Sequence, residues 1–233
     1  YNTELALHLL PQFLPRVQQQ QQQQLSQEGG SQPSFTLPKI QFLTIFLGAN
    51  DSCTPPSPQH VELNRYEQNI RTLIDMVHSP TSPTYSPETR IILICPPPVD
   101  EPRYALQRKE QGIRMDRDKD VTRQYAETCL RIGREYQAKN GQQQPEQHCQ
   151  LDVIDTWGLV TERVERGQGT MSDYLNDGLH LASAGNDLIF EQIMKIIRGR
   201  YPEWDPDTLP MNTPWWRDLK DPKTELLLCA NKI

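Results

Sequence analysis

Apolar residues recur at helical spacing in several parts of the chain, separated by short runs that are apolar without a break. Leu63, Tyr66, Ile70, Leu73, Ile74 and Val77 predict an amphipathic helix over 61–78. Val121, Tyr125, Cys129, Ile132 and Tyr136 predict a second over 116–138, and Leu188, Ile189, Ile193, Ile196 and Ile197 a third over 184–198. A shorter one is expected over 4–16, ended near Pro15. The continuous runs "KIQFLTIFLG" (39–48), "RIILIC" (90–95) and "QLDVID" (150–155) have the length and β-branched content of strands buried on both faces. Strand and helix alternate, the pattern of an α/β protein with a parallel sheet. In such sheets ligands sit beyond the carboxyl ends of the strands.

The remaining stretches divide the chain. After the N-terminal helix (1–17), seven glutamines from Gln18 to Gln24 run into "LSQEGGSQPS", a low-complexity insertion over 18–35. The α/β domain follows over 36–200. Residues 201–233 form a Pro- and Trp-rich tail without period, expected to lie on the domain surface with Trp204, Trp215 and Trp216 as anchors. The 20 prolines cluster in such loops and in the tail.

Charge and cysteine content narrow the partners. A net charge of −6 offers no basic face for nucleic acid or an anionic membrane. No apolar run approaches the ~20 residues of a membrane span, and the opening lacks the pattern of a signal peptide. The first residue is Tyr rather than Met, so the native N-terminus is expected to be missing. Five scattered cysteines without a C-x-x-C pair suit free thiols in a reducing, cytoplasmic setting.

Two stretches carry chemistry. "FLGANDS" (46–52) follows the first apolar run, where Gly48 permits a tight turn and the Asn50 amide can donate to a developing oxyanion. Read alone, these are also ordinary turn residues. In "YLNDGLH" (174–180), a carboxylate at Asp177 accepting from Nδ1 of His180 would leave Nε2 as a base. Read alone, that pair also suits a turn capping the last helix. "CPPPVDE" (95–101) is expected at the mouth of a pocket. His8, His60, His78 and His148 have no partners at metal-ligand spacing, and no dinucleotide or phosphate-binding motif occurs; no metal and no cofactor are expected.

Taken together and in this order, "FLGANDS", "QHVELNRYEQNI", "RIILICPPP" and "YLNDGLHLASAGNDLIF" resemble the SGNH (GDSL-type) hydrolases, especially the isoamyl acetate-hydrolysing esterase group, over roughly 36–198. The resemblance implies a three-layer αβα, flavodoxin-like parallel sheet. It implies Ser-His-Asp acyl-enzyme hydrolysis of small, acetate-type esters without a cofactor. Asn50 would be the oxyanion-hole amide, Asp177 would orient His180 as the general base, and Gly48 and Asp51 would support the loop.

One part of the pattern is missing. The family's nucleophilic serine lies in a G-D-S motif, and no G-D-S occurs in these residues. Ser52 and Ser183 are nearest to the matched motifs, but neither follows the family pattern. The expectation is therefore an N-terminally truncated chain lacking the first two strands of the sheet, inactive by itself. The bared edge of "IQFLTIFL" would favour aggregation or self-association. The alternative is a non-catalytic remnant acting as an interaction protein through its polyglutamine and Pro/Trp-rich segments.

Overall fold

The computed structural model describes residues 1–16, 39–140 and 149–210. The polyglutamine run, His148, Cys229, Trp215 and Trp216 lie outside the described residues. Contacts divide the chain into two compact units, Tyr1–Gln192 and Ile193–Ile233. In order, the elements are α1 (Thr3–Leu9), a 3-10 turn (Leu10–Gln12), β1 (Phe42–Phe46), α2 (Leu63–His78), β2 (Arg90–Ile94), α3 (Glu101–Glu110), α4 (Lys119–Asn140), β3 (Leu151–Ile154), α5 (Thr156–Glu165), α6 (Met171–Tyr174), α7 (Ser183–Arg200) and a 3-10 turn (Pro202–Trp204).

The three strands are parallel in the order β1-β2-β3, as their alternation with helices predicted. Phe46 pairs with Ile94 and Ile94 with Ile154. This register brings the carboxyl ends of all three strands level, so the loops after β1 and β2 emerge on one side of the sheet. Ile91, Ile92, Leu93 and Ile94 of the central strand are all buried. Each such side chain contributes about 1.5–3 kcal/mol on removal from water. Burial on both faces does not extend to β1: Ile45 is buried but Thr44 and Phe46 are exposed. Among the described residues β1 is an edge strand, covered less completely than its apolar sequence suggested.

Helices α1, α2 and α4 pack as one layer, with α4 lying against β2 and β3. The buried face of α2 carries Tyr66, Asn69, Ile70, Leu73, Ile74 and Val77, which includes five of the six residues read from the periodicity. Tyr66 meets Tyr125 of α4 with ring centroids 5.0 Å apart. At the solvent rim Glu67 pairs with Arg71 (2.8 Å) and Arg131 (2.6 Å), and Glu135 with the same two arginines.

Two helix boundaries differ from the sequence expectation. The first helix becomes a 3-10 turn at Leu10, not near Pro15. Pro11 is the cause, since it has no N–H for the next i→i−4 bond and its ring crowds the preceding turn. Helix α4 starts at Lys119 rather than 116 because Asp118 Oδ1 accepts from Asp120 N (2.9 Å) and Val121 N (3.0 Å). That cap leaves Asp116 and Arg117 in the preceding loop. Helices α3, α5 and α6 escaped the periodicity reading: α3 buries only Tyr104, so it has no apolar stripe to detect. Its signal is local instead, in the Asp100 cap and Pro102 in the first turn.

Candidate active site

The loop after β1 turns at Gly48, whose φ is +124°. A Cβ there would sit 2.8 Å from Tyr66 Oη and 3.0 Å from Pro96 Cγ, so both conformation and space require glycine. Ser52 N donates to Gly48 O (2.9 Å) and closes the turn. Asp51 points inward and is fully buried. Its Oδ1 accepts from the backbone N–H (2.9 Å) and the hydroxyl of Thr3, pinning the start of α1 to this loop. Burial pushes the Asp51 carboxyl above its ordinary range, and the Thr3 bonds offset only part of that rise.

Asn50 is held at both ends. Its Nδ2 donates to the carbonyl of Tyr1 (2.9 Å), and its Oδ1 accepts from Arg117 Nη2 (3.2 Å). Ser52, next but one, is buried; its hydroxyl donates to Ala49 O and meets the Thr122 hydroxyl, both at 3.1 Å. It faces the interior. Ser183 is an exposed residue at the start of α7.

The second stretch forms a tight loop closed by an antiparallel bridge between Leu175 and Leu181. Asn176 N donates to His180 O (2.7 Å) across it, and Ala182 N to Tyr174 O (2.8 Å). Inside the loop, Asp177 Oδ2 lies 2.7 Å from His180 Nδ1, while Oδ1 accepts from the N–H groups of Leu179 (3.0 Å) and His180 (2.8 Å). Burial works against the charged Asp177 carboxylate, but these bonds from His180 and Leu179 outweigh it and hold the group at about 2. The His180 side chain is 75% exposed and that of Asp177 only 18%. The carboxylate is thus shielded while the imidazole faces outward.

Gly178, at φ +90°, was passed over in the sequence reading. A Cβ there would stand 2.7 Å from both Asp100 O and Tyr104 N, and Asp100 N donates to Gly178 O (2.9 Å). The loop therefore docks backbone to backbone on the start of α3. A glycine inside D-G-L-H was the available clue.

The two stretches, 130 residues apart at Asn50 and His180, line one cavity of about 320 Å³ beyond the carboxyl end of β1. Phe46, Pro97 and Leu179 supply apolar walls, which gives the triproline turn the place expected of it. Among the described residues, no group of three or more His, Cys, Asp and Glu could hold a metal ion. None of their helices is long and apolar enough to cross a membrane.

Residues 4–193 match the family model of the GDSL-like lipases/acylhydrolases. The chain belongs to that family. Isoamyl acetate-hydrolyzing esterase 1 homologs of Bos taurus and Homo sapiens are each 32% identical to it over 191 residues, covering 81% of this chain and 66% of the relative. A GDSL esterase/lipase of Arabidopsis thaliana is 30% identical over 204 residues, covering 85% of this chain and 69% of the relative. The chain thus spans just under two thirds of the length of these mammalian relatives. A crystal structure of an acetylxylan esterase from Geobacillus stearothermophilus, 18% identical, aligns with a TM-score of 0.44 over 67% of this chain and 59% of that one.

Proposed function

We propose that this cavity is the base-and-oxyanion half of a site that hydrolyses small carboxylic esters through an acyl-enzyme. The observation that carries the reading is the convergence of Asn50 and His180 on one small apolar cavity, with Asp177 bonded behind the imidazole. Asp177 holds the proton on Nδ1, which leaves the Nε2 lone pair free to accept a proton from a serine hydroxyl. The serine oxygen then attacks the ester carbonyl. The resulting oxyanion takes a hydrogen bond from the Asn50 amide, an interaction whose loss typically costs ~2.7–4 kcal/mol of barrier stabilisation. His180 returns its proton to the leaving alcohol and next activates water to release the acid. The apolar walls and limited volume suit a short acyl group such as acetate.

No G-D-S occurs in the 233 residues; Ser52 is turned into the interior, and neither it nor Ser183 lines the cavity or follows the family pattern. We therefore place the serine outside these residues, so that polypeptide 1–233 by itself forms no acyl-enzyme. The test is to express both 1–233 and the whole reading frame of the gene, and to follow p-nitrophenyl acetate hydrolysis. Activity is expected only from the whole frame, falling by about 10³-fold or more in His180→Ala. Hydrolysis by 1–233 that depends on His180 would overturn the assignment of the serine. A folded, inactive whole frame would overturn the esterase reading and favour an interaction protein built on the same scaffold.

A further inference from the structure

Arg117 is a buried cation that the chemistry above does not use; its side chain is only 2% exposed. A guanidinium in the interior is costly unless its donors are met. Here Nη1 lies 3.0 Å from Asp116 Oδ2 and also donates to Cys53 Sγ, and Nη2 donates to Asn50 Oδ1 (3.2 Å), while Nε is buried with no hydrogen-bond partner among the described residues, so the two terminal nitrogens carry the compensation. Asp116 is itself anchored on α3, by Arg108 (3.0 Å) and by the Tyr104 hydroxyl (3.1 Å). Thr54 N donates to the backbone carbonyl of Asp116 (2.9 Å), tying this loop to the one that carries Asn50.

The chemistry of the groups decides which way the Asn50 amide faces. Arginine has only donors, so the amide end beside it must be the oxygen. The Tyr1 carbonyl only accepts, so the end beside it must be the nitrogen. One of the two N–H bonds goes to Tyr1, which leaves the second for a group in the cavity.

We propose that Arg117 is the positioning residue of the oxyanion-hole amide: by holding Oδ1 of Asn50 it keeps the N–H2 end available to the substrate oxyanion. Asp116, Arg108 and Tyr104 hold the guanidinium in turn, so α3 is coupled to the oxyanion hole without touching substrate. The inference rests on the esterase reading of Asn50. Without Arg117 the amide is held only through its nitrogen, at the Tyr1 carbonyl, so its plane can swing about that bond, and a mis-aimed donor weakens the transition state more than substrate binding.

The experiment is a double-mutant cycle in the enzyme expressed from the whole reading frame, paired with NMR of side-chain amides. Arg117→Gln is expected to lower kcat about 10- to 100-fold with KM within about twofold. In an Asn50→Ala background the same change should alter kcat by less than about twofold, because there is no amide left to aim. Equal losses in both backgrounds would overturn the proposal, as general damage acts whether or not Asn50 is present. The pair of ¹H–¹⁵N cross-peaks of the Asn50 amide, assigned by its disappearance in Asn50→Ala, should shift or broaden in Arg117→Gln. An unmoved pair would overturn the proposal whatever the activity. If the pair moves but Asn50→Ala leaves kcat intact, the esterase role of Asn50 fails and the contact stands alone. Arg117→Lys keeps the charge beside Asp116 and loses the forked donor, so it repeats the test should the glutamine variant not fold.

Discussion

Asp177 holds His180 through both of its oxygens: Oδ2 faces the ring Nδ1 at 2.7 Å and Oδ1 accepts the His180 backbone N–H at 2.8 Å. One carboxylate therefore fixes both the imidazole and the peptide that carries it. On the proposed mechanism Asp177→Asn would present an amide in place of an acceptor and allow the wrong tautomer. In the whole-frame enzyme kcat for p-nitrophenyl acetate should fall about 10³- to 10⁴-fold with the far-UV circular dichroism unchanged. A loss smaller than tenfold would exclude Asp177 as the orienting group.

Acid should remove stability from two places. Asp177 is held at about 2, below its ordinary 3.8, so its contribution is full above 3.8 and is lost as pH falls from there toward 2. Glu67 is drawn to about 2 from 4.5, first by its hydrogen bonds with Arg131 and then by those with Arg71, so its contribution fades between 4.5 and 2. The Glu67 cluster is at the solvent rim, where salt screens it. Urea unfolding midpoints measured from pH 5 to 2 should flatten in Glu67→Gln, and added salt should shrink that variant's difference from wild type. A Glu67→Gln profile superimposable on wild type would rule out the linkage.

Gly178 sits where any side chain would meet the backbone of α3. Gly178→Ala must relieve a 2.7 Å approach to Asp100 O and Tyr104 N, and must also adopt φ +90°. A cost of at least about 2 kcal/mol is expected from the two effects together. Thermal unfolding is the measurement, and a melting temperature within a degree of wild type would show that the loop has room to move.

The outer edge of the sheet, at β1, is a candidate for self-association. Among the described residues no strand lies beyond β1 in the sheet, and Thr44 and Phe46 are exposed, so 1–233 should self-associate as concentration rises. Thr44, exposed in the middle of the strand, can take a charge without disturbing the core. Sedimentation of 1–233 against Thr44→Lys should show less association in the variant. A monomeric wild type across the range would remove the edge as a site of association.

Periodicity was sufficient for the sheet because three apolar runs separated by amphipathic helices can bury themselves in few ways. It also located α2 and α4, whose buried stripes are long, and α7, where Leu188 and Ile189 are buried and Ile193, Ile196 and Ile197 half-buried. It passed over α3, α5 and α6 because their formation depends on caps at Asp100, Asp155 and Thr170 more than on apolar spacing.

The candidate site divides along the same line. The Asp177–His180 relation is contained within four residues, so the sequence by itself determined that the two could pair. Gly48 and Asn50 were likewise legible as a turn at the end of a strand. That Asn50 and His180 share a cavity was decided by the level register of the parallel strands and the docking of the Gly178 loop on α3. Arg117 had no sequence signature at all. It is one arginine in a charged stretch, and only tertiary packing, by burying it between Asp116 and Asn50, makes a partner for its guanidinium obligatory.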